Sequence, residues 1–210
     1  MSEMNALGLV TAAGTSTRMG GFPKPLLPFD GEHFIERILG QYTAANVSKQ
    51  LVVLGYEADI IKEQADFGAA RVTINNRYET GMLSSVLCGV RDAQEQGCDG
   101  MFLWPTDYAC VPSKIVTDLW ETYEATNADV IIPQYNGERG HPALFAASTF
   151  DDLLRAPPNE GARAVVYDEA TTVIDMETDD RRILVDIDTP EEYWDATKRY
   201  AFGYNAGEES

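Results

Sequence analysis

A chain of 210 residues, 44% hydrophobic and 24% charged, has the length and composition of one soluble α/β domain with a sizeable core. Sixteen Lys and Arg stand against 34 Asp and Glu, a net charge of −18 with an isoelectric point near 4.3. So few cations assemble no basic face, which excludes wholesale nucleic-acid binding and anionic membrane surfaces; a phosphate-bearing ligand must be drawn by a few cations, backbone amides and a metal ion.

In chain order, the apolar run Leu7–Thr11 is expected to form a buried strand. It opens into Ala12, Ala13 and Gly14, then hydroxyl residues, Arg18, a glycine pair, Pro23 and Lys24. Residues without bulk let backbone N–H groups approach phosphate oxygens closely, and two cations on the loop place charge where a polyphosphate needs it. The stretch from Leu9 to Phe29 thus has the chemistry of a nucleotide-triphosphate grip, although Gly- and Ser-rich loops also serve as plain connectors in α/β proteins. Neither G-x-x-x-x-G-K-[ST] nor G-x-G-x-x-G is present.

Four more strands are expected at Gln50–Gly55, Arg71–Asn75, Gly100–Trp104 and Asp129–Pro133. Between them, Phe34, Ile35, Ile38, Leu39 and Tyr42 make one helical stripe, Met82, Val86, Val90 and Ala93 a second, and Ile115, Leu119 and Tyr123 a third. This alternation predicts an α/β fold with a mostly parallel central sheet and helices on both faces, and ligands beyond the carboxyl ends of the strands. Later, Pro142–Ala146 reads as a strand, Ser148–Leu154 and Gly161–Asp168 as short helices, and Thr171–Asp175 and Ile183–Ile187 as strands. Thr189, Pro190 and Glu192 predict a helix start with a capping box. A single domain over residues 1–202 is expected, with 203–210 a loose tail. Cys88, Cys98 and Cys110 lack C-x-x-C spacing, so no zinc knuckle or disulfide framework is indicated. No signal peptide precedes Leu7, and no apolar run approaches the ~20 residues of a membrane helix, so a cytoplasmic protein is expected.

Several residues could carry chemistry. Asp107 follows a strand end, where a hard oxygen ligand would suit Mg²⁺ on a triphosphate; a turn-forming Asp fits there equally. Asp186 and Asp188 alternate on an expected strand, so their side chains share one face, either completing a metal site or facing solvent on an edge. Gly81, Ser84 and Ser85 open a helix, where Ser hydroxyls read a base or ribose or serve as caps. Arg139-Gly140-His141-Pro142 suits a bend presenting cations to an acceptor phosphate. His33 reads as an ordinary helix-start residue.

In their order these segments are more specific than singly. TAAGTSTRMG-GFPK-PLLPF, Gly81-Met82-Leu83-Ser84-Ser85, the Asp107 turn, Arg139-Gly140-His141-Pro142, Gly161-Ala162-Arg163 and Asp186-Ile187-Asp188-Thr189-Pro190-Glu191 resemble the MobA-like nucleotidyltransferases, which include the molybdenum-cofactor guanylyl- and cytidylyltransferases. The resemblance implies a Rossmann-like nucleotidyltransferase fold and transfer of a nucleoside monophosphate from an NTP to a phosphorylated acceptor, with release of pyrophosphate. It implies that Ala12, Ala13 and Gly14 line the base and ribose, that Arg18 and Lys24 hold the triphosphate, and that Asp107 and Asp188 bind Mg²⁺. Gly81, Ser84 and Ser85 would lie near the nucleoside, and Arg139 and His141 on the acceptor side. An Ala-Ala-Gly opening resembles the cytidylyl branch, favouring CTP, with molybdopterin as acceptor and a molybdoenzyme as candidate recipient of the product. A sugar- or alcohol-phosphate nucleotidyltransferase and a non-catalytic nucleotide-binding module are the alternatives. The family's Asp-x-Pro turn is here Asp107-Tyr108-Ala109, which is expected to loosen the turn.

Overall fold

The structure, a computed structural model, describes residues 4–201. The expected tail lies outside them. Strand β1, Ala6–Ala12, is buried along its whole length. Its loop leads through the short hairpin β2, Pro28–Phe29, and β3, Glu32–His33, into helix α1, Phe34–Ala44. Asp30 and Gly31 both have positive φ, 55° and 87°, the backbone that a tight Asp-Gly hairpin turn requires. His33 caps α1: the Glu36 carboxylate accepts from its amide at 2.8 Å.

Strand β4, Lys49–Leu54, helix α2, Ala58–Gln64, and strand β5, Arg71–Ile74, follow. Helix α3, Met82–Glu95, strand β6, Gly100–Pro105, and helix α4, Ser113–Thr126, come next. The chain then forms β7, Val130–Tyr135, β8, Glu138–Arg139, β9, Ala143–Ala146, α5, Phe150–Arg155, α6, Arg163–Val166, β10, Val173–Glu177, and α7, Pro190–Tyr200. The main sheet runs β10-β7-β9-β6-β1-β4-β5, with β8 paired to β7. Strands β5, β4, β1 and β6 are parallel neighbours, and β10 is parallel to β7. Strand β9 is the antiparallel insertion between β6 and β7.

Alternation along the central strands divides the core into two layers. Val10, Val52, Phe102 and Trp104 face α1 and α4, whereas Leu7, Leu9, Leu51, Val53, Met101 and Leu103 face α3 and α5. Both faces being covered, these strands read as continuous apolar runs. Among the described residues, no helix is long and apolar enough to cross a membrane.

Most expected elements are present within a residue or two, but Ile183–Ile187 is not a strand. Arg181–Leu184 forms a 3-10 turn capped by Asp180, whose side chain accepts from the Arg182 amide at 3.0 Å and pairs with the Arg182 guanidinium. Ile183 and Ile187 are fully buried while the intervening side chains are not, so the apolar alternation of that stretch is broken by local capping. The expected Gly161–Asp168 helix shortens to α6.

Gly8 is required by close packing: a Cβ there would lie 2.8 Å from the ring of Tyr42. That ring is buried, and its hydroxyl donates to the Leu9 carbonyl at 3.2 Å. Replacing Gly by Ala in a permitted backbone gains about 0.4–1 kcal/mol. Overpacking against a fixed ring costs about 1–3 kcal/mol and should win. Gly8→Ala is therefore expected to lower stability, read as an earlier midpoint in urea unfolding.

Candidate active site

The chain runs from β1 outward to β4 and β5, then returns to the other side of β1 to form β6. The strand order reverses there, and ligands of such sheets bind beyond the carboxyl ends at that reversal. Thr106 Oγ1 donates to the Thr11 carbonyl at 2.8 Å, tying the two strand ends together. A cleft of about 410 Å³ opens over this tie, between the loop after β1 and the first turn of α3.

The loop folds back on itself. Ser16, with φ +50°, accepts from the amides of Met19 and Gly21 at 2.9 and 3.2 Å, and its hydroxyl accepts from the Lys24 amide at 3.1 Å. Gly14 and Thr15 are exposed on the cleft, and among the described residues their amides donate to no other backbone group. Ala12, Ala13 and Gly14 line the same wall, and Arg18 and Lys24 close its end. Free amides beside two cations have the chemistry to receive an anion.

Facing the cations are three carboxylates. Oxygens of Asp107, Asp186 and Asp188 lie within 4.8 Å of one another. Asp188 pairs with Arg18 at 2.5 Å and with Lys24, whose ammonium also lies 3.6 Å from Asp107. The Ile187 amide donates to the Asp107 carbonyl at 3.0 Å, fastening the segment that carries Asp186 and Asp188 to the Asp107 turn. The capping box of α7 fixes the far side: Glu192 accepts from the amides of Asp188 and Thr189 at 2.9 and 2.8 Å. Although no strand aligns Asp186 and Asp188, tertiary clamps bring them together.

Burial pushes the Asp107 carboxyl up, against the pull of Lys24. Asp186 is raised to about 6, first by desolvation and then by Asp107 and Asp188. Asp107 Oδ1 is sealed from solvent and has no hydrogen-bond partner among the described residues. An orphaned carboxylate oxygen beside two more carboxylates is a hard, anionic donor set, and it fits a divalent cation such as Mg²⁺.

A second pocket of about 560 Å³ meets the first at Met82, Pro105 and Asp107. Asp188 lines the first and Asp186 the second, so the carboxylates stand at their junction. Arg139, His141 and Arg163 line the second pocket. The expectation of His141 as a cation is corrected here. Burial lowers its pKa to about 4, so the ring is neutral at neutral pH. It packs edge-on against Tyr108 with ring centroids 4.6 Å apart, and its Nδ1 is buried without a hydrogen-bond partner among the described residues. Arg139 is committed to a two-pronged pair with Asp175, at 2.6 and 3.1 Å. Among the described residues, exposed Arg163 makes no such pair; its segment, Gly161-Ala162-Arg163, carries part of the family resemblance, but the sequence assigns its cation no role.

Gly81, with φ +108°, turns the chain into α3 and lines the first cleft. Ser85 also lines it, buried, whereas Ser84 is turned toward the carbonyls of Arg77 and Gly81. Both hydroxyls accept from Asn75, whose side chain no motif had marked. Tyr78 and Glu79, on the turn before Gly81, complete the wall and were likewise unforeseen.

Comparison with known proteins places this geometry. Residues 8–173 match the MobA-like NTP transferase domain. The chain belongs to this family. It is 28% identical over 194 residues to the molybdenum cofactor cytidylyltransferase of Escherichia coli, covering 91% of this chain and 95% of that one. It is 31% identical over 153 residues to a molybdenum cofactor guanylyltransferase of Cereibacter sphaeroides, covering 71% and 74%. A solved nucleotidyl transferase from Methanothermobacter superposes with a TM-score of 0.79 at 24% identity, covering 95% of this chain and 98% of that one. The chain is a nucleotidyltransferase by family and fold.

The family resemblance led to the expectation of a loosened Asp107 turn, since Pro is absent. Ala109 nonetheless takes φ −67°, the value a proline would impose, and is fully buried. Trp104 Nε1 donates to the Tyr108 carbonyl and Arg37 Nε to the Ala109 carbonyl, both at 3.0 Å. The turn is held by side chains.

The raised pKa of Asp186 makes its charge a cost to the metal-free fold. The native state holds its proton up to about pH 6, while an unfolded Asp loses it near 3.8. Stability therefore falls as pH rises between those values. In chelator, Asp186→Asn should raise Tm at pH 8 and leave it nearly unchanged at pH 4, as read by thermal unfolding.

Proposed function

We propose that this protein transfers the CMP group of CTP to the terminal phosphate of molybdopterin and releases pyrophosphate. One observation carries the reading: the Asp107–Asp186–Asp188 group sits where two pockets join, with Lys24 and Arg18 on one side and Arg163 on the other. That is the arrangement an in-line exchange at an α-phosphorus calls for, with leaving group and attacking phosphate approaching from opposite sides.

In this reading the nucleoside lies between Ala12–Gly14 and the start of α3, and the loop amides with Arg18 and Lys24 receive the triphosphate. Arg163 meets the acceptor phosphate, while neutral His141 shapes the pocket without adding charge. An oxygen of the acceptor phosphate forms the new bond to the α-phosphorus as the bond to the bridging oxygen of pyrophosphate breaks. The acceptor is already ionised, so no side chain has to remove a proton. Asp107 and Asp188, joined by Asp186, would hold Mg²⁺, which supplies charge neutralisation on the phosphates. Lys24 and Arg18 stabilise the charge that develops on pyrophosphate. CTP is favoured by the Ala-Ala-Gly opening and by the near full-length similarity to the E. coli cytidylyltransferase; molybdopterin is favoured as acceptor because both relatives are named for the molybdenum cofactor.

The test is pyrophosphate release with each of four NTPs against molybdopterin and a panel of sugar phosphates. Turnover with CTP and molybdopterin is expected, and turnover confined to a sugar phosphate overturns the acceptor assignment. Asp107→Asn should lower the rate by about 10²-fold or more, with metal-free CTP binding retained. Lys24→Met should weaken CTP binding roughly tenfold, more than it weakens CMP binding, because the lost hydrogen bonds are charge-assisted ones to the outer phosphates. Titration of the purified variants with CTP and CMP checks this.

A further inference from the structure

Two buried hydroxyl residues line the nucleotide cleft, Thr11 near the end of β1 and Ser85 in the first turn of α3. Thr11 is only 9% exposed and, among the described residues, its Oγ1 has no hydrogen-bond partner; Ser85 is 3% exposed. A buried polar group left unpaired costs free energy, so the direction of the Ser85 hydroxyl on this cleft wall bears on what a ligand there must offer.

The direction of the Ser85 hydroxyl is set by Asn75. The Arg77 backbone amide, which can only donate, lies 2.9 Å from Asn75 Oδ1. That fixes the amide's orientation: the Asn75 oxygen faces Arg77 and its NH₂ faces the serines. The two hydrogens of that NH₂ go to Ser84 Oγ at 2.7 Å and Ser85 Oγ at 3.0 Å. Ser84 passes its own proton to the Gly81 carbonyl at 2.8 Å. Ser85 accepts from Asn75, and among the described residues its proton has no recorded acceptor. It is therefore presented to the cleft as a donor.

We propose that Asn75 is a positioning residue for base choice: by holding Ser85 as a hydrogen-bond donor it makes the cleft floor select a base edge made of acceptors. Cytosine offers such an edge in N3 and O2. Guanine offers N1–H and N2–H donors at the corresponding edge; either could take only the second lone pair of Ser85 Oγ, which would leave the buried hydroxyl proton without an acceptor. Sites that bond a specific polar group discriminate strongly against a ligand that cannot return the bond. The inference rests on the nucleotide reading of this cleft and adds the element that sets its polarity.

Asn75→Asp tests it with little change of shape. The new carboxylate would accept from the Arg77 amide and from both serine hydroxyls, and three such donors keep a buried carboxylate ionised. Ser85 would then donate inward and turn its lone pairs to the cleft, inverting the floor from donor to acceptor. The added negative charge weakens both nucleotides alike, so the ratio of affinities isolates the effect. CTP and GTP binding are measured by calorimetry with Mg²⁺ and no acceptor, in the wild type, Asn75→Asp and Ser85→Ala. A CTP preference in the wild type is expected, with the Kd(GTP)/Kd(CTP) ratio falling at least tenfold in Asn75→Asp and several-fold in Ser85→Ala. A general packing defect would weaken both nucleotides and leave the ratio unmoved. Wild type binding GTP more tightly than CTP removes the cytidylyl reading. A ratio in folded Asn75→Asp within twofold of wild type, whichever nucleotide the wild type prefers, overturns the proposal. Unfolding of Asn75→Asp would show in its circular dichroism, and Ser85→Ala then decides by the same ratio.

Discussion

The position of Asp188, shared between Arg18 and Lys24 while crowded against Asp107 and Asp186, is the constraint around which the site is built. Two like charges about 4 Å apart repel by about 4 kcal/mol at an effective dielectric near 20. A whole domain is stable by only about 5–15 kcal/mol. Three clustered carboxylates are tolerable only because scarce cations are spent on them and because Asp186 gives up its charge readily. In a chain of net charge −18, two of sixteen cations stand at this one spot. The same two cations are the ones a triphosphate would draw away. Any ligand that takes Lys24 and Arg18 leaves the negative charge of the carboxylates uncompensated, so in the proposed reading a phosphate and a divalent cation would be thermodynamically linked at this site.

The fold enforces that crowding through backbone geometry. Asp107 follows β6 at the reversal point of the sheet, and Asp186 and Asp188 arrive from the far end of the chain. The Ile187 amide bonds to the Asp107 carbonyl while the Ile187 side chain is sunk in the core, so the residue between the two carboxylates is pinned from both ends. The capping box of α7 then orients the backbone of Asp188. A helix cap here sets the backbone that carries one of the clustered carboxylates.

Much of this was legible in the sequence because it is local. Central strands buried on both faces show as apolar runs, and Thr189-Pro190-Glu191-Glu192 announces a helix start by its own hydrogen-bonding chemistry. The loop after β1 declared itself through small residues flanked by cations. What misled was also local. Ile183–Ile187 alternates like a strand, but Asp180 and Arg182 bond to each other and close a 3-10 turn first. His141 looked cationic because a sequence does not show burial, and burial is what sets its charge. Asn75 carried no motif at all. Its meaning lies in a bond network joining a strand end to a helix start, visible only once Arg77, Ser84 and Ser85 surround it.

The Asp107 turn shows how such distributed support substitutes for a residue type. A proline two positions after the carboxylate would fix φ by covalent geometry. Ala109 reaches φ −67° with no ring, since its methyl group is fully buried and its carbonyl and that of Tyr108 are each held by a side-chain N–H. One of those donors, Arg37, projects from α1 and lies over the Phe29 ring; the other, Trp104, is in the strand that delivers the turn. Two net hydrogen bonds, about 1 kcal/mol each, exceed the 0.4–1 kcal/mol that a compatible proline typically adds. The departure from Asp-x-Pro thus moves the control of the turn into the layer between α1 and β6, and leaves the carboxylate where the junction of the two pockets needs it.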